Sequence, residues 1–131
     1  MTMTSTSRTV DGVTILDLNG RIVLGEDTLL LRNTIRDLVA NRQKMILLNM
    51  RKVPYIDSSG IGELVAAFTT VRKQGGALKL LSLTEKVYDV LQITKLYAVF
   101  DVKEDEADAI RSFAPDEVGH TPLSVMQMFG S

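Results

Sequence analysis

Short apolar runs alternate with segments of helical periodicity along most of this chain. The clearest helical segment is residues 59–74, in which apolar side chains recur three or four positions apart. Directly before it, residues 45–50 form a compact apolar run that is typical of a buried central strand. This alternation predicts a mostly parallel sheet, because parallel strands need a crossover long enough to hold a helix.

The same pattern predicts the remaining elements. Asp11-Gly12 between apolar residues predicts a hairpin that joins a strand at residues 9–10 to a strand at residues 13–18. Further helices are predicted at residues 26–42, after Thr84 and at residues 104–113, and further strands at residues 78–83 and, as an edge strand, 97–102. We therefore expect an α/β domain with an initial hairpin.

The composition excludes several classes of functional site. The chain has no cysteine, which excludes disulfides, thiolate catalysis and cysteine metal sites, and its one histidine, His120, cannot alone form a triad or a multi-histidine site. A net charge of −1 gives no electrostatic reason to expect nucleic acid or an anionic membrane as a partner. No apolar run approaches the roughly 20 residues of a membrane span, and residues 1–8 are polar. We therefore expect a cytoplasmic protein without a signal peptide.

Residues 55–62 read Tyr-Ile-Asp-Ser-Ser-Gly-Ile-Gly and lie at the predicted start of the helix over 59–74. Unpaired N–H groups and the helix dipole favour negative charge at a helix N-terminus. A phosphoryl group on Ser58 would add roughly −1.5 to −2 charge there, close to Asp57 and Glu63. Ser58 is therefore interpreted either as a phosphorylation site or as a helix cap that is never modified.

The neighbours of Ser58 suggest distinct roles. We expect Ser59 to be the plain helix cap. Asp57 is expected to orient Ser58, to bind a magnesium ion held by a kinase, or only to stabilise the turn. Gly60 and Gly62 lack side chains, so the turn can be tight and another backbone can approach closely.

The outer face of the helix over 59–74 carries mostly small side chains. These are Gly62, Ala66, Thr69 and Thr70, followed by Lys73. Small side chains let a partner approach and lose little rotamer entropy on binding. This face is either a docking surface beside Ser58 or an ordinary exposed face.

Five segments of the chain resemble one known family. They are residues 13–18, 46–49, 55–62, 75–80 and 90–94. Over about residues 8–113 the chain resembles the anti-sigma factor antagonists, the STAS-domain regulators of bacterial partner switching. The resemblance implies a small mixed, mostly parallel sheet of four or five strands, with about four helices packed mainly on one side.

The resemblance also implies a function. Ser58 would be phosphorylated by an anti-sigma factor with serine kinase activity. The unphosphorylated protein would bind that anti-sigma factor and free the sigma factor, and a PP2C-type phosphatase would restore this form. The protein would then be a substrate and not an enzyme, with no cofactor or metal, as a monomer or weak homodimer.

The chain departs from the family pattern in three places. Arg21-Ile22-Val23 after Gly20 is an unusual entry to the first helix, and residues 114–131 extend past the usual end of the family. Lys95 stands where the family commonly has glycine, and a left-handed lysine costs about 1 kcal/mol, so we expect the third helix to end differently. We expect a STAS domain over residues 1–113, followed by an extension at 114–131 that is either a tail or a packed segment.

Two other functions remain open. In a STAS scaffold or a transporter-associated subunit, the outer helix face would be a permanent contact and Ser58 only a cap. An enzyme or nucleotide-binding protein would need a phosphate-binding loop or a base beside Ser58. The chain has no Gly-x-x-x-x-Gly-Lys-Ser/Thr sequence and no histidine or lysine next to Ser58.

Overall fold

The computed structural model describes residues 3–113, which form one five-stranded sheet and four helices. The strands are β1 (Thr4–Val10), β2 (Val13–Asn19), β3 (Met45–Lys52), β4 (Ala77–Leu81) and β5 (Val102–Lys103). The helices are α1 (Glu26–Ala40), α2 (Ser58–Lys73), α3 (Glu85–Ile93) and α4 (Glu106–Arg111). The extension predicted at residues 114–131, which contains His120, lies outside the described residues.

Strand order in the sheet is the same as chain order, β1-β2-β3-β4-β5. β1 and β2 are antiparallel around Asp11 and Gly12, whose φ values of 49° and 82° are both positive, as a type I′ hairpin requires. β2 to β5 are parallel. Each crossover advances to the next strand in the same direction, and α1, α2 and α3 all pack in the larger core cluster on one face of the sheet. The predicted fold class is confirmed.

β3 is buried on both of its faces. Ile46 and Leu48 pack in the larger core cluster with α1, α2 and α3. Leu47 packs on the opposite face against Ala109 of α4. Coverage on both sides explains why residues 46–48 are apolar at consecutive positions instead of alternating.

Arg8 of β1 ties α4 to the sheet. Its Nε lies 2.7 Å from Asp17 Oδ2, and its Nη2 lies 2.7 Å from Glu106 Oε1. Hydrogen bonds from Arg8 lower the pKa of both carboxyls below their usual values. These two ion pairs of Arg8 therefore help to hold α4 on the face of the sheet opposite α1, α2 and α3.

The edge strand predicted at residues 97–102 is largely wrong, since β5 contains only Val102 and Lys103. Phe100 is buried, with its ring edge-on to that of Phe68 at a centroid distance of 5.6 Å. Packing of this side chain helps to place residues 97–100, and backbone pairing with β4 begins at Asp101, whose O accepts from Leu80 N at 3.0 Å. At the other edge of the sheet, β1 begins at Thr4, five residues before the predicted strand at residues 9–10. An exposed edge strand needs backbone pairing but no apolar side chains, so the apolar pattern did not indicate residues 4–8.

The last helix is also shorter than the prediction of residues 104–113. It begins at Glu106 because Asp105 precedes it as the N-cap, and the Asp105 side chain accepts a hydrogen bond from Asp108 N at 3.0 Å. Asp105 is therefore part of the cap and not of the helix.

α1, α2 and α3 end in the same backbone motif. The residues after their C-caps all have positive φ: Arg42 (65°), Gly75 (84°) and Lys95 (63°). At α3, the N–H of Lys95 donates to Gln92 O at 3.0 Å and that of Leu96 to Leu91 O at 2.9 Å. This is the Schellman pattern. The expectation that Lys95 would make α3 end differently is wrong, because lysine adopts the conformation that glycine favours.

Replacing Lys95 by glycine is expected to stabilise the domain by about 1 kcal/mol, because glycine adopts positive φ without steric cost. Urea unfolding measures the change. Lys86→Gly, within α3 at an exposed position, is the matched control and should destabilise by up to about 1 kcal/mol. Equal destabilisation by both variants would contradict the strain assigned to Lys95.

Candidate functional site

Two loops at the carboxyl ends of β2 and β3 lie side by side. Ile22 N donates to Tyr55 O at 3.1 Å, and Asp57 N donates to Ile22 O at 3.2 Å. Ile22 and Ile56 form a parallel bridge, and both side chains are buried. The loop before α1 and the loop before α2 are therefore joined through their backbones.

Asp57 links these two loops to the start of α2. Its Oδ1 accepts from Gly60 N at 2.8 Å, and its Oδ2 accepts from Leu24 N at 3.1 Å. Partial burial raises the pKa of the Asp57 carboxyl. Hydrogen bonds from backbone N–H groups lower it by more, with Gly60 contributing more than Leu24, so the pKa lies below its usual value. Of the three roles considered for Asp57, stabilisation of the turn matches these contacts.

The prediction that Ser59 caps the helix is wrong, because Asp57 is the N-cap and α2 begins at Ser58. Asp57 alone reaches both Gly60 N and a donor from the neighbouring loop. Ser59 lies half-buried within the first turn.

Ser58 is exposed at the first position of α2. In the described part of the chain, its hydroxyl has no hydrogen-bond partner. The helix dipole at this position tolerates added negative charge. The arrangement offers an accessible hydroxyl that can accept a phosphoryl group, but none of the described residues is a histidine that could act as its base.

The two glycines of the motif have different surroundings. Gly60 is buried, and a Cβ there would lie 2.3 Å from Ile22 O and 2.6 Å from Ile56 Cγ1. Gly62 is exposed, and a Cβ there would meet no atom within 4 Å. The close approach of the two loops therefore requires Gly60, whereas nothing in the fold requires Gly62.

The outer face of α2 continues from Ser58. Gly62, Ala66, Thr69 and Lys73 are exposed, and Thr70 is half-buried towards α1. The Thr69 hydroxyl donates to Val65 O within the helix. This face presents small side chains to solvent, at the positions that the periodicity predicts.

Glu63 does not face the predicted phosphorylation site. Its side chain is 8% exposed and lies 2.9 Å from Arg32 of α1, from Oε1 to Nη2. This ion pair joins α1 to α2 and offsets the charge of Glu63. The ion pair thereby reduces the repulsion that Glu63 would exert on a phosphoryl group on Ser58.

Leu24 belongs to the site and was missed by the sequence reading. Its side chain is 75% exposed, and its backbone N–H is held by Asp57. Tyr55, on the adjoining loop, is 41% exposed. No periodicity marks these residues, because they lie in loops. In the sequence, Leu24 is marked only as an apolar residue that lies between β2 and Gly25.

No helix in residues 3–113 is long and apolar enough to cross a membrane. The same residues hold no group of three or more side chains suited to bind a metal ion.

Comparison with known proteins places these features in one family. A family model described as STAS domain matches residues 5–109. Over 53 residues the chain is 42% identical to an anti-sigma-B factor antagonist of Bacillus subtilis (strain 168), which covers 40% of this chain and 49% of that protein. The chain spans about half the length of the first curated relatives it matches.

Solved structures share the fold over most of the chain. A crystal structure of a candidate anti-sigma factor antagonist from Thermotoga maritima has a TM-score of 0.77 and 26% identity, covering 83% of this chain and 93% of that chain. The anti-sigma factor antagonist SpoIIAA in its unphosphorylated form has a TM-score of 0.63 and 18% identity, covering 83% and 96%. The second likeness concerns the fold alone.

Proposed function

This chain belongs to the STAS domain family, and we propose that it is an anti-sigma factor antagonist regulated by phosphorylation of Ser58. Unphosphorylated, it binds an anti-sigma factor with serine kinase activity, which then releases its sigma factor. That kinase phosphorylates Ser58, and a PP2C-type phosphatase reverses the modification. The protein acts as a binding module and substrate, and we propose the cytoplasm as its compartment.

The observation that carries this proposal is the exposed Ser58 hydroxyl at the first position of α2, beside a face of small side chains. A kinase can reach this hydroxyl without unfolding the helix. Ser59 lacks this accessibility, because it is half-buried. The partner-binding residues that we propose are Asp57, Ser58, Ser59, Gly60, Gly62, Ala66, Thr69 and Thr70, with Leu24 as an addition.

Phosphorylation switches affinity by electrostatics. A phosphoserine carries roughly −1.5 to −2 charge, and burying it without a partner in an interface costs several kcal/mol. Each 1.4 kcal/mol is about tenfold in affinity. The adjacent Asp57 carboxylate already occupies the nearby N–H groups of Gly60 and Leu24, so they are not free to pair with the phosphate.

The direct test is intact-mass measurement after incubation with candidate anti-sigma kinases and ATP. We expect a gain of one phosphate that is absent in Ser58→Ala and retained in the control Ser7→Ala, which changes an exposed serine of β1 outside the proposed interface. A gain that persists in Ser58→Ala contradicts the proposed site. If none of the candidate kinases adds a phosphate, the result would favour a STAS scaffold or a transporter-associated subunit.

A further inference from the structure

A cleft separates the C-terminal halves of α1 and α2, on the same side of the molecule as the outer face of α2. It is open, with a volume of about 520 Å³. We name it the basic groove; it is lined by Arg36, Val39, Ala40, Arg42, Lys44, Thr70 and Gln74. Three of these side chains are cationic, and none is a carboxylate, although the whole chain has a net charge of −1.

We propose that the basic groove binds an acidic segment of the anti-sigma factor that docks on α2. The inference rests on the proposed function and adds a second contact to the proposed interface with the anti-sigma factor. Ser58 and the small-residue face would form one part of the interface, and the basic groove would hold carboxylates of the same partner.

The charges of the groove are available to a ligand. Among residues 3–113, neither Arg36 nor Arg42 forms an ion pair. Lys44 Nζ donates to Gln74 O, the C-cap carbonyl of α2, at 2.9 Å, and within the same residues Lys44 forms no ion pair with a carboxylate. Arg32, one turn before Arg36, differs because Glu63 already neutralises it.

Backbone geometry places one of these cations. Arg42 has a φ of 65° and is the left-handed residue that ends α1. Its N–H donates to Val39 O at 2.9 Å, so its position relative to α1 is defined. Glycine is the residue that this conformation favours, and arginine occupies it instead, at the mouth of the groove.

The basic groove is continuous with the proposed docking face. A smaller cavity of about 70 Å³ between the same helices is lined in part by Ala66, and it shares Arg36 and Thr70 with the groove. From Ala66 to Gln74 the path along α2 is about 12 Å, from eight residues at about 1.5 Å each. A partner seated on Ala66 would therefore extend into the groove.

The length and chemistry of the groove favour a polypeptide. The smaller cavity and the groove together follow α2 for about 12 Å, which accommodates two or three carboxylates along one segment and is more than a single phosphate would use. Arginine binds carboxylates and phosphates alike with two parallel hydrogen bonds, so Arg36 and Arg42 suit Asp and Glu side chains, and the length of the path is what favours a polypeptide.

The test reverses the charge of the groove. In the double variant Arg36→Glu/Arg42→Glu, the affinity for the anti-sigma factor is expected to fall roughly tenfold or more at about 0.1 M salt. Raising the salt concentration should weaken binding of the unsubstituted protein more steeply than binding of the variant. The matched control is Lys86→Glu/Lys95→Glu, which also changes one exposed helix residue and one left-handed residue, but on α3.

The outcomes separate this inference from the proposed function. If the unsubstituted protein binds the anti-sigma factor and both double variants bind equally well, the inference is overturned and the proposed function stands. If the unsubstituted protein binds no anti-sigma factor, both fail. If the groove variant loses only binding of inorganic phosphate or ATP, the groove is a small-anion site and the inference is again overturned. Unchanged thermal unfolding of both double variants confirms that the fold is retained.

Discussion

Substitution of Ala66 by arginine is expected to abolish binding to the anti-sigma factor without lowering the thermal stability of the domain. Ala66 is exposed in the middle of the outer face of α2. An arginine there protrudes several ångströms into the space that a docked partner would fill, and steric exclusion at the centre of an interface costs several kcal/mol. Alanine and arginine have similar helix propensities, so the isolated domain should be affected little.

Isothermal titration with the anti-sigma factor and thermal unfolding of the free domain measure the two effects. Ala107→Arg is the matched control, because Ala107 is exposed on α4, on the opposite face of the sheet. It should leave binding intact. Normal binding by Ala66→Arg would remove the outer face of α2 from the interface, and loss of binding in Ala107→Arg would mean that added charge alone disturbs the complex.

Replacing Gly60 by alanine is expected to destabilise the domain by about 3 kcal/mol, near the upper end of the usual cost of overpacking. The added Cβ would lie 2.3 Å from Ile22 O, a backbone atom that cannot turn away as a side chain would. The two loops would have to separate, which would weaken the hydrogen bond from Asp57 N to Ile22 O.

Gly62→Ala is the matched control for this change, because it adds the same methyl group two positions later, where no atom lies within 4 Å. Removing a glycine from the helix should stabilise the domain by up to about 1 kcal/mol. Urea unfolding of both variants should therefore give changes of opposite sign. A Gly60→Ala variant as stable as the parent chain would contradict the tight contact between the loops.

The fold was predictable because its signals are local and repeated. The apolar run at residues 45–50, the Asp11-Gly12 turn and the periodicity of α2 each agree with the same parallel architecture. Such features depend on a few neighbouring residues, which sequence alone contains.

The errors arose where distant contacts decide between local options. Asp57 and Ser59 are both good N-cap residues. In the structure the N-cap is Asp57, which also accepts a hydrogen bond from Leu24 N, 33 positions earlier in the chain. Phe100 was assigned to a strand, but it packs on the ring of Phe68. The roles assigned to Ser58 and the outer face of α2 stay predictions, because they concern a partner.

The agreement between strand order and chain order has a consequence for folding. Every strand of the sheet pairs with the strand before or after it in the chain, so the contacts are separated by one hairpin or one crossover. Each parallel pairing joins residues a whole crossover apart, as in Thr14 with Ile46 and Met45 with Ala77. A strand can nevertheless pair with its predecessor before the later strands have formed, because no strand is inserted between two earlier ones. The residues of the proposed docking face and of the basic groove all fall within residues 24–74, ahead of β5, which pairs with β4 through only two residues. We therefore expect the proposed docking residues to be in place before β5 pairs with β4 at the C-terminal edge of the sheet.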